Sequence, residues 1–264
     1  MVVNMERTIN KELYKKNNAN KYLTALIIGA TLFLLLSVVY MYSGKLAASV
    51  KFGSDSFKEI LKLKGKEYAT FISLIQFLYQ IPLFFFFIYI FKDDLKVDFE
   101  DFKKDKGRNI KIIIIGAISL LLATILVSII YQLLGIEDIS DNQEIIENSL
   151  LGGGGILMAT SVVLFAPFVE EMLFRKSLCD TLKYKFNVPD IITIILSALI
   201  FSFMHVSDFD NLIFIFQYLP LALIIVLCYY FSKNIYVPMT VHFINNLVSV
   251  LLTYLLAWLG FYGI

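Results

Sequence analysis

Apolar residues along this chain come in long blocks parted by short polar stretches, at about 22–43, 68–91, 110–136, 155–184, 190–206, 211–231 and 236–261. A helix needs roughly 20 residues to cross about 30 Å of hydrocarbon. The block at 190–206 is short by that measure, as befits a tilted helix, a buried one or part of a longer one. Alternation with a period of two, the mark of a membrane barrel, is absent. With no water in a bilayer, the backbone must satisfy its own hydrogen bonds, so the blocks predict helices. The expected fold class is therefore all-α: a polytopic membrane bundle of about seven spans (seven to eight) around a polar cavity. The expected division is residues 1–149, a polar segment and three spans, and residues 150–264, the remaining helices.

Composition agrees. Hydrophobic residues make up 58% of the chain and charged ones 17%, against about half and a quarter in soluble domains. Cys179 and Cys228 lie in helical stretches and give neither a disulfide framework nor a thiolate metal site. The net charge of +1 is local and offers nothing to nucleic acid. A polar start with no small-residue cleavage site predicts an uncleaved first span.

Basic residues set the expected orientation. Arg7, Lys11, Lys15, Lys16 and Lys21 precede the first block, and segment 92–109 carries Lys92, Lys96, Lys103, Lys104, Lys106 and Arg108. Segment 137–150 holds Glu137, Asp138, Asp141, Glu144 and Glu147 and no Lys or Arg, and 207–210 holds Asp208 and Asp210. Lys183, Lys185 and Lys233 follow later blocks. An N-terminus in the cytoplasm of a cell membrane makes these loops alternate. Segment 44–67, with six lysines, breaks the rule and reads as interfacial or as a misplaced span. The run Gly152 to Gly155 lacks the Lys-Ser/Thr ending of a phosphate loop and reads as a flexible linker. Pro167 predicts a kink just ahead of Glu170.

Ionisable groups inside apolar blocks are costly, by roughly 2.5–3.5 kcal/mol each on insertion scales. The chain has only two histidines, His205 and His242, and both lie in such blocks. Glu170 and Glu171 lie in another, with Arg175 four residues on. Residues four apart share a helical face, so Glu171 and Arg175 can pair. Glu170, turned by about 100°, then faces elsewhere, and a carboxylate aimed into a poorly solvated cavity suits a general base. The bland reading puts both acids at the membrane boundary, simply solvated. Phe201 shares a face with His205, and His242 with Asn246. A His-Asn pair can hold an oxyanion or join two membrane helices. Depth is the difficulty. Glu170 and His242 fall toward the cytoplasmic half, whereas His205 lies about 22 Å into its span at 1.5 Å per residue.

The ordered set Glu170-Glu171-x-x-x-Arg175, Phe201-x-x-x-His205 and His242-x-x-x-Asn246 resembles the CPBP family of CAAX proteases and bacteriocin-processing enzymes, also called Abi. Asn246 matches the forms that resemble the Ras-converting endopeptidase. The resemblance covers roughly residues 150–250. It implies an intramembrane endopeptidase whose catalytic helical core is residues 150–264. Glu170 and His205 would activate water, and His242 and Asn246 would hold the oxyanion. Glu171, Arg175 and Phe201 would support them. The expected cofactor is none. The alternative is zinc on Glu170, His205 and His242, a donor set that leaves one position open for water. The partners implied are the bilayer and a membrane-associated peptide or protein. A composition rich in Lys, Ile and Asn reads as bacterial, which favours peptide maturation or bacteriocin processing and self-immunity. A non-catalytic immunity or scaffolding protein is the competing class. A transporter is a third, without the inverted repeat that would support it.

Overall fold

The apolar blocks become helices that place their most apolar faces outward. The computed structural model describes residues 11–52, 66–136, 140–206 and 212–261, and no strand occurs among them. A short helical stretch at 11–17 leads into α1 (Ala19–Phe52), α2 (Lys66–Lys104) and α3 (Lys106–Leu133). Then come α4 (Asp141–Leu151), α5 (Gly155–Tyr184) and α6 (Asp190–Phe203). A 3₁₀ turn, Leu212–Phe214, opens α7 (Ile215–Ser232), and α8 is Tyr236–Trp258.

Six of these helices contain stretches long and apolar enough to cross a membrane: α1, α2, α3, α5, α7 and α8. The 14 residues of α6 span about 21 Å, so the short fifth block is a short helix that buries Ile194, Ala198 and Phe201 against the bundle and leaves Ile191, Ile195 and Phe203 exposed. On α3 the division of faces is plain. Asn109, Ile113, Gly116 and Leu120 are buried, while Ile114, Ile118, Leu122, Ile125 and Ile129 are about half exposed. That is the pattern of a helix with one face on protein and the other on lipid. Gly116 lets α3 approach closely: an added Cβ would lie 2.6 Å from Cys228 Sγ on α7.

Three polar segments differ from the sequence expectation. Helix α1 continues to Phe52 and so enters the lysine-rich segment expected to leave the membrane at 44; residues 53–65 lie outside the described residues, as do Arg7, Asp208 and Asp210. Segment 92–109 is helical through Lys104. Its acids at 94, 98 and 101 share one face and meet cations, which removes the need for a solvated loop. Lys176 Nζ lies 3.2 Å from Asp98 and 3.5 Å from Asp94. Lys11 Nζ lies 2.7 Å from Asp98 and 2.8 Å from Asp101. Lys21 pairs with Asp94, and Lys15 with Asp180 at 3.0 Å. The Lys15 ammonium pKa is lowered, burial outweighing the pull of Asp180. The acidic segment 137–150 is largely helix α4, capped by the Ser140 hydroxyl, which accepts from Gln143 N.

The glycine run is a tight turn, not a flexible linker. A Cβ on Gly152 would lie 2.4 Å from Ala69 Cβ, and one on Gly154 would lie 2.2 Å from Ser73 Oγ. Glycine here allows α4 and α5 to press against α2. Next to it, α5 departs from α-helical winding over Ser161–Phe165, a π segment directly before Pro167. The kink expected at this proline takes the form of wider winding, which accommodates the missing backbone donor.

Gly154→Ala is expected to destabilise the fold by about 1–3 kcal/mol, the usual cost of overpacking. Gly107→Ala, where a new Cβ meets nothing within 4 Å, should be neutral or slightly stabilising. Thermal unfolding of the purified full chain in detergent, comparing both variants with the parent, checks the difference.

Candidate active site

Lys176 explains how residues that looked far apart in depth come together. It sits six residues beyond Glu170 and meets Asp98, whose Oδ2 also accepts from Ile235 N just ahead of α8. His242 lies six residues into α8. At 1.5 Å per residue, both Glu170 and His242 are thus about 9 Å from the same layer of charge. Lys183 pairs with Asp190 at 2.8 Å and ties the end of α5 to the start of α6. Glu170 is 13 residues back from Lys183, and His205 is 15 residues on from Asp190, so each is about 20–22 Å from that junction. Arg175 and Lys176, which follow Glu170 in the sequence, do not mark a solvated boundary. Both are buried.

The two adjacent glutamates diverge. Glu171 has no exposed surface. One of its oxygens lies 3.1 Å from Arg175 Nε, an ion-pair contact without hydrogen-bond alignment. The other accepts from His242 Nδ1 at 2.9 Å. Arg175 extends over the Phe201 ring, 4.7 Å from its centroid, and Nη2 reaches the Ala222 carbonyl at 3.5 Å. Glu170 turns into a cavity of roughly 500 Å³ that is also lined by His205, His242 and Asn246. Glu170 Oε2 lies 4.0 Å from His205 Nε2 and 3.8 Å from His242 Nε2.

Hydrogen bonds on the far side of each ring fix which nitrogen faces the cavity. A carbonyl or a carboxylate can only accept. His205 Nδ1 lies 2.8 Å from the Phe201 carbonyl and therefore carries a proton. His242 Nδ1, held by Glu171, carries one too. Both rings thus turn Nε2 toward Glu170. Phe201 serves both histidines: its ring stacks on His205 at 4.4 Å and meets His242 edge-on at 6.0 Å. Asn246 Nδ2 donates to the Val162 carbonyl at 2.9 Å, and Oδ1 accepts from Asn245 at 3.2 Å.

The structure therefore brings Glu170, His205, His242 and Asn246 to one cavity from three helices or their ends, with Glu171, Arg175 and Phe201 packed behind them. The sequence reading missed Tyr218 and Asn245. Tyr218 lies 4.9 Å from the His205 ring, and its hydroxyl is 2.7 Å from Ser140 Oγ, ahead of α4. The polar pair Gln217-Tyr218 at the start of an apolar block, and the doubled Asn245-Asn246, were the available signals. Hydroxyl and amide groups from Gln76, Thr124, Ser128 and Gln143 also line the space.

The donor types at Glu170, His205 and His242 are those of a catalytic zinc site. Their spacing is wider. Among the described residues no three His, Cys, Asp or Glu are grouped to hold a metal ion.

Residues 152–248 match the family model described as type II CAAX prenyl endopeptidase Rce1-like. This segment is similar to that family. The match includes all seven motif residues and bears out the family resemblance read from them. No curated protein and no solved structure matches the chain.

Glu171→Gln would leave Arg175 buried without its counter-charge. Breaking a buried pair in this way costs about 3–5 kcal/mol. The expected result is a sharply reduced yield of monodisperse protein and a lower unfolding midpoint, read by size-exclusion chromatography and thermal melts.

Proposed function

We propose that this chain is an intramembrane endopeptidase that adds water to a peptide bond of a membrane-associated peptide or protein. The observation that carries this reading is Glu170 facing two Nε2 atoms across a polar cavity. Separations of 3.8 and 4.0 Å are too long for direct hydrogen bonds and suit a bridging water. Such a water gives one proton to Glu170 while its second O–H donates to the Nε2 lone pair of His205. The water oxygen attacks the scissile carbonyl carbon, and the new oxyanion takes donors from Asn246 and from His242 in its doubly protonated form. Glu171 balances the charge on that ring, as the acid of a carboxylate-histidine pair does. When the carbon–nitrogen bond breaks, the proton held by Glu170 passes to the leaving amine.

Many amide and hydroxyl groups line the cavity, which fits an extended peptide whose own backbone groups need partners once unwound from a helix. The proposed setting is a bacterial cell membrane with the N-terminus in the cytoplasm, and the proposed role is peptide maturation or bacteriocin processing and self-immunity. The zinc variant keeps one point in its favour: both histidines are anchored through Nδ1, as metal-ligating histidines usually are. Glu170, His205 and His242 would then hold the ion, which would polarise the carbonyl and acidify water.

Glu170→Gln is expected to lower cleavage by about 10²–10⁴-fold, the usual share of a general base, with the melting temperature unchanged. Comparing membrane and secreted peptides from cells with the parent gene, the variant gene and no gene supplies the readout. Full processing by Glu170→Gln would defeat the peptidase reading in favour of scaffolding. Purified protein treated exhaustively with a chelator separates the variants: unchanged cleavage removes zinc, and loss restored by added zinc establishes it.

A further inference from the structure

The bond from Asn246 to Val162 has a cause in the chain. In the π segment the Ala166 N–H reaches back to the Ser161 carbonyl, five residues away. In that register the donor due at the Val162 carbonyl is the N–H of residue 167. Residue 167 is proline and has none. The Val162 carbonyl is thus left without a backbone partner by two features acting together, the wide winding and the proline. Asn246 on α8 fills the vacancy at 2.9 Å.

We propose that Pro167 and the π segment exist to present this orphaned carbonyl, and that its function is to fix the orientation of the Asn246 carboxamide. Oxygen and nitrogen of a carboxamide have nearly the same shape and opposite hydrogen-bonding roles. An acceptor at Val162 demands the nitrogen. The Asn245 amide, donating to Oδ1 at 3.2 Å, demands the oxygen at the other end. A flipped Asn246 would set oxygen against oxygen and nitrogen against nitrogen. Held in this way, Asn246 retains one uncommitted N–H, one helical turn beyond His242 and in the same cavity. Pro167 and Val162 are positioning residues that act through Asn246. The use of the spare N–H on an oxyanion rests on the peptidase reading; the anchoring does not.

Double-variant coupling in the full chain, purified in detergent, tests the anchoring without any substrate. Asn246→Ala should lower the melting temperature by about 3–6 °C in the parent. In a Pro167→Ala background the restored N–H supplies Val162 from within α5, or lets α5 return to α-helical winding. There, Asn246→Ala should cost less than half as much. An equal cost in both backgrounds overturns the proposal. Asn246→Asp, which cannot donate as a carboxylate, should be at least as harmful as alanine, and parent-like stability of that variant would also overturn it. Should Asn246→Ala alone fail to fold, recovery of a monodisperse peak on adding Pro167→Ala supports the anchor, and no recovery refutes it. Cleavage of fluorogenic peptides adds the functional arm. Pro167→Ala alone, with Asn246 present, should keep its fold yet show at least a tenfold lower kcat with little change in KM. Parent-level kcat in that variant would refute the aiming role. Should the parent cleave nothing, the peptidase reading fails, and the thermal coupling still decides the anchor.

Discussion

A carboxylate with no access to solvent, Glu171, is the constraint on which the remaining packing depends. It lies against Arg175 on its own helix and accepts from His242 on α8. Arg175 in turn covers Phe201 on α6 and reaches a carbonyl on α7. Four helices therefore converge on one ion pair. Removing two charges from water is expensive, and attraction between them offsets that cost only when the remaining polar atoms also find partners. The partners here are the His242 ring for Glu171 and the Ala222 carbonyl for Arg175, whose Nη1 has no hydrogen-bond partner. The same interaction that makes Glu171 tolerable orients His242, and Phe201, under Arg175, stacks on His205.

A second layer of charge lies about one and a half turns from the first along α5. Lys176 and Asp180 project from that helix toward Asp94 and Asp98 of α2 and Lys15 near the N-terminus. The layer gives the N-terminal segment something to hold. The Tyr229 hydroxyl donates to Asp180 and accepts from Lys15, which adds α7. Helix α8 joins through Ile235 N on Asp98. Because both α5 and α8 are registered against this layer, Glu170 and His242 arrive at the same height. The depth of the site is thus set by salt bridges at one end of the bundle rather than by the limits of the apolar blocks.

The helices and the polar constellation were legible in the sequence because each depends on local pattern. Block length gives spans, and spacing of four gives shared faces for Glu171 and Arg175, Phe201 and His205, His242 and Asn246. The divergence of Glu170 from Glu171 followed from helical geometry alone. What could not be read depended on tertiary partners. Lys176 in isolation is a boundary charge; among Asp94, Asp98 and Asp180 it is buried. Four glycines in a row suggest freedom until Ala69 and Ser73 are seen against them. The acidic segment 137–150 has little apolar content to announce a helix, yet α4 packs Leu150 into a core with Ile72, Met158 and Val250. Tyr218 carried too weak a signal to stand out from fifteen tyrosines.

Helix α5 carries both irregularities that the site exploits, and they have different origins. The first π segment lies ahead of a proline, where the backbone has already lost a donor. The second, Met172–Cys179, contains no proline and begins directly after Glu171. It spans Arg175 and Lys176, whose side chains must point in opposite senses: one toward α6, α7 and Glu171, the other toward the aspartates of α2. In π winding each residue turns the helix by less than the 100° of an α-helix, which alters the angle between the rows in which side chains emerge. The flanking stretch Ala166–Glu171 is α-helical and keeps both glutamates in ordinary geometry. Winding defects in membrane helices need outside partners for displaced backbone groups. In this chain Ser177 and Cys179 supply them locally, their side chains donating to the Met172 and Phe174 carbonyls at 2.8 and 3.2 Å. The first defect draws its partner from α8 instead, and so it alone couples the course of α5 to an amide at the cavity.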